Sequence, residues 1–380
     1  MDNTTPQFKT AGQLISALMD SRGWTNKLLA SVLGINETEL GKVIQDKKSL
    51  SAELAVLLEE VFKEPADRFL ELQKNYELAK ARIKNIPNPR RANQAELLGN
   101  LPISEMVSRG WIAVENTKDI GQIENALSNF FNVNAGAAVQ LLPHAAKKTN
   151  VNDDVSPIQL AWLYRVQSIA QGMIVKPYTR QKAEELVKQL KPLLSAPQEA
   201  RNVPKLFAEC GIRLVFVEAL KASKIDGVCF WLSDKKPVIG MSMRFDRMDN
   251  FWFVLRHELE HVIQSHGVHA PMLDIELGSD LNDAISVDDE EYIANHAASE
   301  FCAPKAKIDS FIARKAPLFP EKDFQGFVKL LGVHPSLVAG QIRHKTGRYE
   351  LFNSHNVKIR EYVIPSGIVD GWGDIYPVVF

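Results

Sequence analysis

The chain contains little cysteine and no excess of charge of either sign. Its three cysteines, Cys210, Cys229 and Cys302, stand apart from one another in apolar surroundings. This spacing excludes a disulfide framework or a cysteine zinc knuckle, and it predicts reduced residues in a core. Because 45 basic and 46 acidic residues leave a net charge of −1, any contact with nucleic acid has to come from a local patch.

Long apolar runs, internal repeats and low-complexity tracts are also lacking. No apolar run reaches the length of a membrane span, and the first residues lack the basic and apolar segments of a signal peptide. We therefore expect a cytoplasmic protein with no membrane partner. With 380 residues, 45% of them hydrophobic and 24% charged, the chain is long enough for two or three globular domains.

What the chain does contain is an H-E-x-x-H motif, His257-Glu258-Leu259-Glu260-His261. Histidines at positions i and i+4 of a helix share one face, so both imidazoles can bind a single metal ion. Glu258 lies next to them, where it can hold a water and act as a general base without completing the metal shell. The motif therefore predicts a catalytic zinc site of the peptidase type.

The surrounding residues predict a scaffold for this motif. Residues 249–264 have the apolar spacing of one amphipathic helix with a buried face. Before this helix, residues 227–232 and 237–243 are typical of two strands joined by the polar turn at 233–236, which favours a hairpin. The alternative is an exposed helix with two solvated histidines, and such a helix would not need the apolar face.

A catalytic zinc site needs a third protein ligand, and Glu291 is the best candidate. It begins a second helical pattern that places small and apolar residues on one side. The adjacent Glu290 points about 100° away on a helix, so only one of the two can be the ligand. The sequence leaves four rival ligands open, namely Glu290, His266, His269 and His296.

Several stretches of the C-terminal half carry a family resemblance. They are residues 226–231, the run from Asp249 to His261, Glu291-x-x-Ala294-Asn295 with Pro304, and residues 331–340. On these stretches, residues from about 200 to 350 resemble the ImmA/IrrE family of metallopeptidases. The resemblance implies that His257, His261 and Glu291 bind Zn²⁺ and that Glu258 is the catalytic base.

Two positions depart from the pattern of that family. The family usually has Gly where this chain has Glu260, and an aromatic residue where it has Ala297. Glu260 adds a charge near the site that can alter metal affinity, but it does not remove a ligand. A second electrophile is not marked by any motif, and Tyr292, His296 and His334 are the residues considered for it.

Residues 8–84 have the pattern of consecutive short helices. Thr25 can cap one helix that ends at Gly34, and Asn36 can cap the next, residues 37–45. Two helices joined by a tight glycine-containing turn form the helix-turn-helix unit, whose second helix enters the major groove of DNA. The sequence therefore predicts a DNA-binding module, with a small helical bundle of no nucleic-acid role as the alternative.

Polar residues of this module are candidates for DNA contacts. Lysines of the second helix and of the turn after it can bind phosphates. The candidate set is Thr25, Asn36, Thr38, Glu39, Lys42, Lys47 and Lys48. Gly41 within the recognition helix costs about 1 kcal/mol of helix stability relative to Ala. It either permits close approach of the backbone to DNA or marks weakened binding.

Three stretches of the module carry a second family resemblance. They are Thr25-x-x-x-Leu29-Ala30-x-x-Leu33-Gly34-Ile35, Ser49-Leu50-Ser51 and Phe69-Leu70-Glu71-Leu72-Gln73. These residues resemble the XRE helix-turn-helix family, and its HigA-type antitoxins in particular. The resemblance implies binding to operator DNA as a homodimer and binding to a cognate toxin.

We expect a mainly α, multidomain protein. An all-α helix-turn-helix domain precedes a helical middle region and an α+β zincin-like domain with a small antiparallel sheet. The expected layout is 1–84 for the DNA-binding domain, 85–93 for a proline-containing linker, 94–200 for the middle region, 201–350 for the metallopeptidase domain and 351–380 for a C-terminal extension. The extension is predicted as a last strand or a packed extension, with a segment lying over the active-site cleft as the alternative.

These features favour one function and leave two alternatives. The leading interpretation is a transcriptional regulator of the antitoxin type whose zinc endopeptidase domain cleaves a regulatory protein partner. In the first alternative, the chain is a HigA-like antitoxin and autorepressor, and its peptidase-fold domain senses or binds a toxin without cleaving it. In the second, the chain is a DNA-binding repressor whose C-terminal half only dimerises.

Overall fold

The computed structural model describes residues 8–85, 95, 99, 101–132, 147–148, 155–268, 271–275 and 289–376. The chain divides into two compact units, residues 1–91 and 92–380. The protein is mainly helical, and a small mixed sheet lies in the second unit. Within the described residues, no helix is both long and apolar enough to cross a membrane.

The described part of the first unit is entirely helical. It contains α1 (Ala11–Asp20), α2 (Asn26–Leu33), α3 (Glu37–Ile44), α4 (Ala52–Phe62) and α5 (Ala66–Lys84). The side chains of Thr25 and Asn36 accept hydrogen bonds from first-turn amides of α2 and α3, as the sequence predicts, and the side chain of Ser51 does the same for α4. Gly34 ends α2 with a φ of 67°, a conformation that costs glycine little.

The second unit begins with helices and continues into the sheet. Its helices before strand β2 are α6 (Ile103–Ser108), α7 (Ile120–Phe130), α8 (Pro157–Gly172), α9 (Arg180–Leu190) and α10 (Val203–Cys210). Its strands are β1 (Lys147–Lys148), β2 (Arg213–Val217), β3 (Ile225–Trp231), β4 (Pro237–Met241), β5 (Met272–Ile275) and β6 (Ile368–Asp370). The later helices are α11 (Met248–Gln264), α12 (Asp289–Cys302), α13 (Lys305–Lys315), α14 (Glu321–Leu331), α15 (Pro335–Thr346) and α16 (Arg360–Val363).

The strands form one sheet in the order β1-β5-β3-β4-β2-β6. β3 pairs antiparallel with β4, so the predicted hairpin is confirmed. However, β2 pairs parallel with both β4 and β6, and β1 pairs parallel with β5. The expectation of an antiparallel sheet is therefore wrong, because the sheet is mixed. Its parallel pairs join strands from distant parts of the chain, which local hairpin signals do not reveal.

Helices cover both faces of this sheet. Leu214 and Phe216 of β2 share a core with α11, while the alternate residues Val215 and Val217 share a second core with α8. A sheet covered on both faces buries its strands along their whole length, and all five residues of β2 are buried. Helix α8, from the expected middle region 94–200, therefore belongs to the same core as the strands of 201–350.

Residues near the C-terminus form the edge strand β6. Asp370 at its end is buried and accepts hydrogen bonds from Trp111 Nε1 at 2.7 Å and Arg165 Nε at 2.7 Å. A buried carboxylate paired with a buried guanidinium is costly to separate, because either charge alone would lack a partner. This contact fixes β6 against helix α8 and the segment before α7.

Candidate metal centre

Helix α11 positions the two histidines of the motif. His257 and His261 lie one turn apart on its buried face, and neither side chain is exposed to solvent. Their Nε2 atoms are 3.0 Å apart. The spacing that the sequence predicts therefore brings two imidazole nitrogens to one point.

Helix α12 brings Glu291 to the same point. Its buried face, with Ala294 and Ala298, packs closely against α11. The carboxylate oxygens of Glu291 lie 3.1 Å from His261 Nε2 and 3.4 Å from His257 Nε2. The third predicted ligand thus lies within reach of any ion that both histidines hold.

A fourth group, Asp274, was not found from the sequence. It lies in β5, where it alternates with Leu273 and so faces α11. Its Oδ2 atom is 3.2 Å from His257 Nε2, and the residue is fully buried. The available signal was an acidic residue inside the short apolar run Met272-Leu-Asp-Ile275, since a buried carboxylate requires a partner.

This buried group could hold a metal ion. One donor atom from each of His257, His261, Asp274 and Glu291 lies within 4.8 Å of all the others. The separations measured among them range from 3.0 to 3.4 Å. A tetrahedron with zinc–ligand bonds of about 2.0 Å has edges of about 3.3 Å, and these four separations, which use both oxygens of Glu291, are close to that length. Two nitrogen and two oxygen donors suit Zn²⁺ and other transition-metal ions alike.

Charge in this cluster also favours a cation. Burial alone would lower the pKa of His257, but the charges and hydrogen bonds of Asp274 and Glu291 outweigh burial and raise that pKa to about 10. Burial would raise the pKa of Asp274, whereas His257 and His261 hold it well below its ordinary value. Two buried carboxylates therefore create a strong negative potential at the point where the imidazole nitrogens meet.

Glu258 lies beside the cluster and is completely buried. Burial, followed by the charge of Asp274 and a hydrogen bond with it, raises the pKa of Glu258 well above its usual range. Gly227 in β3 makes room for this side chain, since a Cβ atom at that position would lie 2.0 Å from Glu258 Oε1. Gly227 therefore allows the backbone of β3 to pass directly against the expected base.

The rival ligands that the structure describes lie outside the cluster. The Nδ1 atom of His266 is 2.9 Å from Nδ1 of His261, on the side of that ring opposite Nε2. The side chain of Glu290 is 40% exposed, and His296 is exposed on α12. The remaining rival, His269, lies outside the described residues.

The residues considered as a second electrophile are not part of the cluster either. Tyr292 is 62% exposed, and its ring stacks on that of His296. His334 caps α15, where its Nδ1 atom accepts a hydrogen bond from the amide of Ser336. None of these three residues thus belongs to the group that could hold a metal ion.

The unusual Glu260 is neutralised within its own helix. One carboxylate oxygen accepts a hydrogen bond from Arg256 at 2.6 Å, and the other accepts one from Gln264 at 2.7 Å. Burial raises the pKa of Glu260, but these two partners outweigh burial and leave the pKa below its ordinary value. Its charge is therefore balanced by Arg256 on the same helix.

A cavity of about 410 Å³ lies beside the N-terminal half of α11. Its lining includes Arg247, Arg343 and Phe253, and the ring of Phe253 lies 6.3 Å from that of His257. Asp249 forms ion pairs with both of these arginines. The cavity thus combines aromatic surface with paired charges one helical turn from the cluster.

In the first unit, the expected DNA-contact residues are solvent-accessible but several have partners within the protein. Glu39 forms ion pairs with both Lys42 and Lys48, and their hydrogen bonds and charges lower its pKa to about 2. Thr38 and Lys47 are exposed. The side chains of the other two candidates, Thr25 and Asn36, cap helices. At Gly41 an added Cβ atom would meet open space.

Comparisons with known proteins do not show a family. No protein-family model matches the chain, and no curated protein matches it. One solved structure, described as a hypothetical protein from E. coli, aligns with 27% of this chain and 99% of its own, at 24% sequence identity. Its TM-score is 0.19, which is too low to support a common fold. Functional conclusions therefore rest on the geometry of the metal centre.

Proposed function

We propose that the protein is a DNA-binding regulator that carries a zinc-dependent endopeptidase centre. The observation that supports this proposal is the buried cluster of His257, His261 and Glu291, with Glu258 fully buried beside it. A purely structural metal site would have no need for an additional buried acid, which is costly without a role. The proposed substrate is a regulatory protein bound by the same chain.

Each residue of the cluster has its own role in the proposed reaction. His257, His261 and Glu291 would hold the ion, and a bound Zn²⁺ supplies an electrophile for the peptide carbonyl and acidifies water. Glu258 takes the proton of the attacking water and returns it to the leaving amine. A raised pKa makes the carboxylate of Glu258 a stronger base toward the attacking water, which suits the first of these two steps.

Asp274 closes the centre in the conformation described. Catalytic zinc sites keep one position open, whereas four protein ligands are typical of structural sites. Asp274 lies 3.2 Å from the expected ligand His257, and its charge contributes to the raised pKa of the expected base Glu258. In the proposed enzyme, Asp274 must therefore give up its place before hydrolysis begins.

The same closure favours one alternative function. The four potential ligands are all unexposed, so a peptide cannot reach them without movement of β5 or its neighbours. In the alternative, the ion stays enclosed and stabilises a domain that binds a toxin without cleaving it. Variants of Asp274 that open the centre therefore separate the two functions.

We expect the purified full-length protein to contain one zinc ion per chain, measured by elemental analysis. Removal of the ion by a chelator will lower the melting temperature of the second unit. A ligand at 1,000 times its Kd contributes about 4 kcal/mol to the folded state. The double variant His257→Ala, His261→Ala will contain no zinc, whereas His296→Ala, an exposed histidine on α12, will keep it. If both variants contained the same amount of zinc, the proposed metal site would be wrong.

For the first unit, we propose binding to operator DNA as a homodimer, supported by the capped helix pair α2–α3 and the exposed lysines after it. Replacement of Glu39 by Gln will strengthen binding to a DNA duplex, because Lys42 and Lys48 lose their internal partner. The plot of log K against log salt concentration will steepen by about 0.9 for each lysine that gains a phosphate. Fluorescence anisotropy over a salt series measures both quantities.

The matched control for that experiment is Glu37→Gln. Glu37 is exposed at the start of the same helix, and within the described residues it has no ion pair. Its replacement removes one negative charge without releasing a lysine. If both variants change the salt dependence equally, the lysines near Glu39 do not face the DNA.

A further inference from the structure

We propose that His266 is a positioning residue for the metal ligand His261. The inference rests on the proposed metal site and assigns to His266 the task of fixing which nitrogen of His261 carries the proton. His261 presents Nε2 to the cluster, 3.0 Å from His257 Nε2 and 3.1 Å from Glu291 Oε1. Its other ring nitrogen, Nδ1, lies 2.9 Å from Nδ1 of His266.

The hydrogen-bond rules of imidazole then determine both tautomers. A neutral imidazole has one N–H donor and one acceptor nitrogen, and two acceptors cannot pair with each other. Binding a metal through Nε2 requires a free electron pair there, so the proton of His261 has to sit on Nδ1. His266 Nδ1 must accept that hydrogen bond, which leaves its own proton on Nε2.

The surroundings of His266 agree with this arrangement. Its Nε2 atom faces Glu290, whose Oε1 atom is 3.9 Å away, and a carboxylate there favours an N–H on that side. A chain of polar groups thus runs from Glu290 through His266 and His261 to the cluster. The resulting polarity increases electron density on the Nε2 atom that faces the ion.

The backbone holds His266 firmly in place. Its amide donates to the carbonyl oxygen of His261 at 2.8 Å, and its carbonyl oxygen accepts from Trp231 Nε1 at 2.8 Å. The next residue, Gly267, has a φ of +74°, and a Cβ atom there would lie 2.7 Å from the carbonyl oxygen of Cys229. The turn after α11 is therefore built against β3, and the side chain of His266 is only 12% exposed.

The other histidine of the cluster provides a contrast. Within the described residues, Nδ1 of His257 is buried and has no hydrogen-bond partner. Only His261 has a partner that selects its tautomer. Loss of His266 would leave His261 free to place its proton on either nitrogen, and only one of these forms can bind the ion.

Two variants of nearly equal size test the inference. In His266→Asn the side-chain oxygen can lie where Nδ1 lay and accept the same hydrogen bond, whereas His266→Leu fills a similar volume without an acceptor. The probe is Zn²⁺ alone, with its Kd measured by competition with a chromophoric chelator. We expect the Leu variant to bind Zn²⁺ roughly 10- to 100-fold more weakly and the Asn variant to remain close to wild type.

A spectroscopic readout and a folding control accompany the affinities. In the Co²⁺-substituted proteins, the visible spectrum of the Leu variant will shift, whereas that of the Asn variant will match wild type. Thermal unfolding of the metal-free proteins checks that both variants fold. Equal affinities for Leu and Asn, whether both weak or both like wild type, would overturn the role of the hydrogen bond. If wild type itself bound no Zn²⁺, the proposed function would fail, and this inference with it.

Discussion

Glu258→Gln will retain its metal ion and lose peptide hydrolysis. Gln has nearly the same shape as Glu and fits beside Gly227, but its amide cannot take a proton from water. General-base catalysis contributes roughly 10²- to 10⁴-fold to such reactions, and we expect a loss of that size. The Kd for Zn²⁺ will stay close to that of wild type, because Glu258 is not one of the four potential ligands.

Because the proposed substrate is a regulatory protein bound by the same chain, the measurement surveys all cellular proteins at once. Cells that express wild type or Glu258→Gln are compared by profiling the N-termini of all their proteins. New N-termini should appear with wild type only. His296→Ala, which changes an exposed histidine on α12, serves as the control and should cleave like wild type. Identical profiles for wild type and Glu258→Gln would leave only the binding function.

Asp274→Ala will open the centre. Removal of this carboxylate frees one position of the cluster and the space next to Glu258. If the open form makes up 0.1–10% of wild type, a variant held open will hydrolyse roughly 10- to 1,000-fold faster at saturating Zn²⁺. Its affinity for Zn²⁺ will fall, because one of four donor groups is lost.

Binding of a small inhibitor to the metal ion measures how open the centre is, and this measurement needs no substrate. Acetohydroxamate added to the Co²⁺-substituted protein will change the visible spectrum of Asp274→Ala at concentrations that leave wild type unchanged. Asp274→Asn, which keeps the volume and a weaker oxygen donor, should respond in between. If Asp274→Ala binds acetohydroxamate no better than wild type, closure by Asp274 is wrong. If it binds the inhibitor but produces no new N-termini, the non-cleaving alternative gains support.

The parts of the site that depend on local spacing could be predicted from sequence. His257 and His261 are one helical turn apart, so their meeting follows from helix geometry alone. Thr25, Asn36 and Ser51 cap helices for an equally local reason. Glu291 was a harder prediction, since it depends on how α12 packs on α11.

Asp274 and the parallel strand pairs could not be predicted in the same way. Asp274 comes from a four-residue strand whose pairing with β3 decides which side chains face α11. A shift of one residue in that pairing would turn Asp274 to the opposite face of the sheet. β6 pairs with β2 although β3, β4 and β5 lie between them in the chain, and no local pattern encodes such a partner.

The contact of Asp370 with Arg165 has a consequence for how the protein is made. The two residues are 205 positions apart, so the ion pair between Arg165 and Asp370 cannot form until almost the whole second unit has been synthesised. The helices of the first unit depend on near neighbours and can fold while synthesis continues. A newly made chain would therefore present its α2–α3 module before the sheet that supports the metal centre has gained its last strand.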